Sequence, residues 1–160
     1  DSTELAAKRL LFYRMAYGAA GYLGLQNPEA VRGFMTSICP KDKVIFTWQE
    51  LAGGHELFGA REGIGKLLLN LGVVALDCLP RGGGIKTIVD ATGAWIEATG
   101  TGARIQEHTQ TIIQGGLDTI PLEAATAHAV FTVRLAQRLN VALEATLPAK
   151  DTIRLILRLN

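Results

Sequence analysis

The stretch from Lys66 to Ile85, KLLLNLGVVALDCLPRGGGI, constrains the fold more than any other part of the chain. Leu67, Leu71, Val74 and Cys78 recur at three and four residues, Leu68, Ala75 and Leu79 line a neighbouring row, and Leu69, Val73 and Leu76 extend the apolar surface further round. This spacing predicts a long helix that is apolar nearly all round, and such a helix needs cover on more than one side. Pro80 and Gly82 to Gly84 end it. Ile85, Thr87 and Val89 then alternate with Lys86, Ile88 and Asp90, so the chain turns through the glycines straight into a strand.

Before this stretch, Ser2 or Thr3 can cap a helix running to about Tyr17, with Phe12, Met15, Ala16 and Ala19 at helical spacing. Asn27-Pro28 starts a second helix over Glu29 to Ile38, since asparagine caps and proline is pre-set for the first helical position. Val44 to Gln49 alternates as a strand, and Leu51 to Gly59, rich in glycine, reads as a loop. After the central strand, Asp90 to Gly93 predicts a hairpin turn and Ala94 to Ala98 the returning strand. Thr99 to about Glu123 reads as a long connection with a short helix between its glycine pairs, and a helix follows to about Leu139. Val141 to Leu147 and Ile153 to Leu159 alternate as two strands around a turn at Pro148 to Asp151. Helices packed on one face of a mixed sheet give a two-layer α/β sandwich.

A chain of 160 residues is long enough for one domain with a real core. At 48% hydrophobic and 19% charged it has the composition of a soluble globular protein. A net charge of +1 with no Lys or Arg run argues against a nucleic-acid partner, and no apolar segment reaches the ~18 residues of a membrane span. Cys39 and Cys78 stand outside any metal-type spacing and read as reduced structural residues, which fits a cytoplasmic setting.

The central stretch resembles the region of sensor histidine kinases and related ATPases in which a helix with an asparagine motif runs into a Pro-x-Gly-Gly turn and a strand. Asn70 matches the first asparagine. The second, which in that family coordinates the magnesium of ATP, falls at Val74, and valine offers no oxygen to a hard cation. The family's Asp-x-Gly-x-Gly motif, whose aspartate accepts a bond from adenine, falls on Ala98-Thr-Gly100-Thr-Gly102, so the glycines are kept and the carboxylate is not. The glycine turn that should hold phosphates falls near Ala127 to Val130, where no glycine stands. No cofactor is therefore expected.

Upstream, Ala7 to Gly21, AKRLLFYRMAYGAAG, is similar to the end of the second helix in the ChpT-type histidine phosphotransferases of alphaproteobacteria. The resemblance continues through Val44 to Gln49 and Leu68 to Ile85. It implies a kinase-like fold that has lost ATP binding, of histidine-kinase ATPase type over residues 22–160, preceded over residues 1–21 by the end of a dimerising helical hairpin. It further implies a cytoplasmic phosphorelay role. In that family phosphate passes from the receiver domain of a hybrid histidine kinase onto a histidine, then to response-regulator receiver domains, and the resemblance implies a homodimer.

The family places Asp-Leu after its acceptor histidine, and none of His55, His108 and His128 has that neighbour, so the acceptor is expected upstream of Asp1. His55 and His108 read as surface histidines, while His128 shares a stripe with Phe131 and Leu135 and reads as a satisfied core residue. Arg9, Tyr13, Arg14 and Tyr17 are candidates for receiver docking, since Tyr and Arg commonly anchor interfaces. Two rival expectations are a diverged ATP-binding kinase or ATPase domain and a non-catalytic receiver-binding module.

Overall fold

The structure, a computed structural model, describes residues 2–19, 21 and 24–160, and the side chains of all of these except Leu5 and Arg9. Among the described residues two helices come first, α1 (Ser2–Tyr17) and α2 (Pro28–Ile38), followed by β1 (Val44–Glu50), α3 (Gly54–Ala60) and the central helix α4 (Ile64–Asp77). Then come β2 (Gly83–Val89), β3 (Gly93–Thr99), α5 (Glu107–Ile113), a 3-10 turn (Leu117–Thr119), α6 (Ala127–Arg138), β4 (Val141–Ala149) and β5 (Thr152–Leu159).

The strands form one sheet in the order β1-β2-β3-β5-β4, with β1 parallel to β2 and every other pairing antiparallel. Period-two alternation sends Ile85, Thr87 and Val89, Ala94, Ile96 and Ala98, and Ile153, Leu155 and Leu157 to one face, where they are buried. The helices cover that face, with α4 packed on β3 and β5, α6 on β4, and α2 on β1. The opposite face carries a polar ladder in which Arg154 donates through Nε (2.7 Å) and Nη2 (2.5 Å) to Oε1 of Glu97.

Helix α4 is the centre of the core. Ile64, Leu67, Leu68, Leu69 and Ala75 are wholly buried, as the all-round apolar pattern requires. Asn27 caps α2, accepting from the Ala30 N–H at 2.8 Å, and Pro28 takes the first helical position. The turn after α4 needs glycine: Gly83 has φ +140°, and a Cβ there would lie 2.1 Å from the Thr99 carbonyl oxygen. Asp90 builds the β2–β3 turn, its Oδ1 accepting from the Thr92 N–H (2.8 Å), the Thr92 hydroxyl (2.9 Å) and the Gly93 N–H (3.0 Å).

The expected loop over Leu51 to Gly59 is corrected: Gly54–Ala60 is helical, starting from Gly53 at φ +80°. Burial of Leu57 and Phe58 against the core holds this short helix, although its glycines disfavour it locally. Between β3 and α6, α5 supplies the short helix and the 3-10 turn adds a second ordered element.

Candidate functional site

Two polar side chains buried in the helical layer, Lys66 and Asn70, converge on the last turn of α1. A helix leaves its final carbonyls without intrahelical partners. Here side chains of α4 take them: Asn70 Nδ2 donates to the Ala16 carbonyl at 2.9 Å, and Lys66 Nζ donates to the Gly18 carbonyl at 2.9 Å. Asn70 Nδ2 also donates to the Lys66 carbonyl one turn back, at 2.8 Å. Lys66 and Asn70 are 3% and 0% exposed. The Lys66 ammonium lies 5.7 Å from the Phe131 ring centre, and burial, then Arg138, pushes its pKa down.

Between Ala16 and Gly18, Tyr17 is held from α6. Its hydroxyl lies 2.5 Å from His128 Nδ1, and His128 Nε2 lies 3.1 Å from the Asn70 carbonyl oxygen. A carbonyl can only accept, so Nε2 carries the proton. Burial lowers the His128 pKa more than the Asn70 carbonyl and Asp77 raise it, which favours the neutral ring. Nδ1 is then the acceptor and the Tyr17 hydroxyl the donor. Tyr17 also packs edge-on against Phe131 at 5.0 Å and stacks with Tyr13 at 6.0 Å.

Of the docking candidates, Tyr13 and Arg14 are exposed on α1, Tyr17 is divided between solvent and His128, and the Arg9 side chain lies outside the described residues. Leu10 and Leu11 are also exposed, at 66% and 43%.

Next to this cluster, α4, the segment after β3 and the start of α6 enclose a cleft of about 380 Å³. Val74 and Cys78 line it from α4, Arg104 and Gln106 from the segment after β3, and His128 from α6. Asp77 also faces it, its pKa raised by burial against the lowering pull of His128. The positions expected to correspond to the kinase-type motifs divide. Val74 lies in the cleft, whereas the Asn70 amide points at α1 and Ala98 is 1% exposed, between Ile85 and Ile153 on the neighbouring strands.

Gly100 and Gly102 have roles in the fold. A Cβ on Gly100 would lie 2.2 Å from the Gly82 carbonyl oxygen, and Gly102 has φ +73°. At the start of α6, Thr126 makes no side-chain cap. Its hydroxyl donates to the Pro121 carbonyl at 3.0 Å and accepts from the Glu123 N–H at 3.0 Å.

His55 is exposed on α3. His108 is half-buried rather than a surface residue, and its Nε2 is buried without a hydrogen-bond partner. Cys39 and Cys78 are free and buried, their thiols pushed up by burial to about 11 and about 12. Among the described residues no group of three or more His, Cys, Asp and Glu is placed to hold a metal ion, and no helix is long and apolar enough to cross a membrane.

Sequence reasoning missed the α1 cluster. Its signal was present: Lys66 and Asn70 stand four residues apart, on one stripe of an otherwise apolar helix.

A family model described as the histidine phosphotransferase C-terminal domain matches residues 29–151, and the chain belongs to this family. Within it the chain is of the ChpT type. Protein phosphotransferase ChpT of Brucella abortus (strain 2308) is 25% identical over 158 residues, covering 96% of this chain and 73% of that protein. A solved structure described as a bacterial phosphotransferase superposes with a TM-score of 0.77 at 22% identity, over 96% of this chain and 73% of that one. Helix α1 lies before the residues that the family model matches.

Proposed function

We propose that this chain is the docking and ATPase-like part of a cytoplasmic relay phosphotransferase. Phosphate moves from the receiver domain of a hybrid histidine kinase to a histidine on a helix N-terminal to Asp1, and from there to response-regulator receiver domains. An aspartyl phosphate is already activated, and a neutral imidazole on an exposed helix attacks it directly. The phosphorus–oxygen bond to aspartate breaks as the phosphorus–nitrogen bond to histidine forms. The receiver provides its own aspartate and magnesium, so this chain needs no nucleotide.

The observation that carries the reading is the fate of Asn70. The one asparagine left of the kinase-type motif gives both amide hydrogens to the Ala16 and Lys66 carbonyls and faces α1 rather than the cleft. With Val74 in the cleft and Ala98 buried, the domain keeps a kinase-like sandwich without a metal ligand or an adenine acceptor. Exposed Leu10, Leu11 and Tyr13 suit a hairpin that pairs with a second copy and receives the receiver domain.

The test is phosphate transfer from a phosphorylated receiver domain to the longest natural form of the protein, with the 160-residue chain alongside. Label on the long form alone is expected. Label on neither would favour a non-catalytic receiver-binding module, and label on the short chain would make His55, His108 or His128 the acceptor.

A further inference from the structure

We infer that Lys66, Asn70 and His128 are positioning residues: by holding three consecutive residues at the end of α1, they fix the angle at which the docking helix stands on the α/β domain. The inference rests on the relay reading for its functional half, and its structural half stands alone.

Packing alone fixes α1 poorly. Ala16 is its one wholly buried side chain among those described, with Phe12 and Met15 half-buried, while Leu10, Leu11 and Tyr13 face outward. An apolar contact of that size is non-directional and tolerates sliding. The hydrogen bonds at its end are directional. Ala16 is held by Asn70, Tyr17 by His128 and Gly18 by Lys66, from two different helices. His128 also bonds the Asn70 carbonyl, so the two anchoring helices are tied to each other at the same point.

The anchoring residues are themselves unfavourable in their own helix. A buried ammonium and a buried amide cost stability unless they are partnered, and apolar residues at both positions would let α4 join the core without that penalty. Each donates to a carbonyl at the end of α1, and Asn70 gives its second amide hydrogen to the Lys66 carbonyl while its Oδ1 is left without a partner among the described residues, so α4 carries a polar stripe matched to one placement of α1. Residues 29–151 contain the anchors and α1 precedes them, so the contact joins the matched family domain to the segment before it.

The functional leverage is geometric. A helix of 16 residues is about 24 Å long, so a 10° tilt about its clasped end moves the far end by about 4 Å. A receiver that touches both α1 and the domain would then meet its two contact surfaces out of register.

The experiment compares Lys66→Met with Lys66→Arg, and adds His128→Gln, in the longest natural form and in the 160-residue chain. The readouts are amide exchange over residues 14–19 and the KM and saturated rate of transfer from a phosphorylated receiver. For Lys66→Met and His128→Gln, exchange there should rise about fivefold or more, the equivalent of one net hydrogen bond. KM should rise by a similar factor, about fivefold, with the saturated rate within about twofold. Lys66→Arg, which keeps a donor, should stay near the parent. If Lys66→Met does not fold, His128→Gln is read by the same two measures.

Unchanged exchange in the variants would overturn the clasp, and faster exchange with an unchanged KM would overturn its positioning role. If the parent long form takes no phosphate from a receiver, the relay reading fails on its own, and the exchange data still decide the clasp.

Discussion

Placing the kinase-type residues at Val74 and Ala98 should destabilise the protein without creating a nucleotide site. Ala98 is 1% exposed between Ile85 and Ile153, so an aspartate there meets hydrocarbon on both flanks. Keeping that carboxyl neutral at pH 7 means moving its pKa from about 3.9 to above 7, a cost of about 4 kcal/mol. Val74 is 4% exposed at the cleft, where an asparagine amide without full partners costs about 1–3 kcal/mol. The sum approaches the whole stability of a typical domain, about 5–15 kcal/mol, so Val74→Asn and Ala98→Asp are best measured singly before they are combined. The assay is urea unfolding, followed by thermal melts with and without ATP and magnesium. A nucleotide at a hundred times its dissociation constant would stabilise the fold by about 2.7 kcal/mol, raising the melting temperature by roughly 5–10 °C. No upward shift is expected for the parent or for any variant. A clear rise with ATP, or an Ala98→Asp cost under about 1 kcal/mol, would refute the reasoning.

Gly100→Ala should cost about 1–3 kcal/mol in urea unfolding, because its Cβ would sit 2.2 Å from the Gly82 carbonyl oxygen and both are backbone-bound. Burial raises the Asp90 pKa, but bonds from the Thr92 backbone and hydroxyl and the Gly93 N–H, with Arg158, outweigh it and hold the carboxyl below its ordinary value. A depressed carboxyl stabilises fully above its unfolded value, and the benefit is lost as pH falls through the folded value. Asp90→Ala should therefore lower the urea midpoint at pH 7, and that difference should shrink as pH falls through the folded carboxyl's lowered value.

The parts of the fold legible in the sequence were those in which one segment carries its own pattern. Leu67 to Leu79 announced a helix needing cover on several sides, and the strand alternations placed the right side chains in the core. Gly54–Ala60 carried no such pattern, because two of its seven residues are glycine and only the burial of Leu57 and Phe58 keeps it helical. That Val74 and Ala98 carry no oxygen of the kind the kinase-type motifs require could also be read directly, wherever the two side chains point. What Asn70 does instead could not be read. Its partner Ala16 lies 54 residues away, and Tyr17 meets His128 across 111, so neither pairing leaves a local spacing. Two polar residues a turn apart on an apolar helix were the available clue that something polar must approach α4.

The single parallel pairing has a consequence for how the molecule assembles. β2–β3 and β4–β5 are hairpins with short turns and form from neighbouring residues, which is fast. β1 belongs to the sheet only through β2, from Val44 opposite Gly83 to Glu50 opposite Val89, and α3 and α4 lie between the two strands in the chain. Its hydrogen bonds therefore wait for the crossover to close, with α4 already seated on the strands it covers. The edge that β1 forms should therefore be the last to zip and the first to open. In native-state exchange its amides should report the cheapest partial unfolding of the sheet, well before the β3–β5 pairing at its centre.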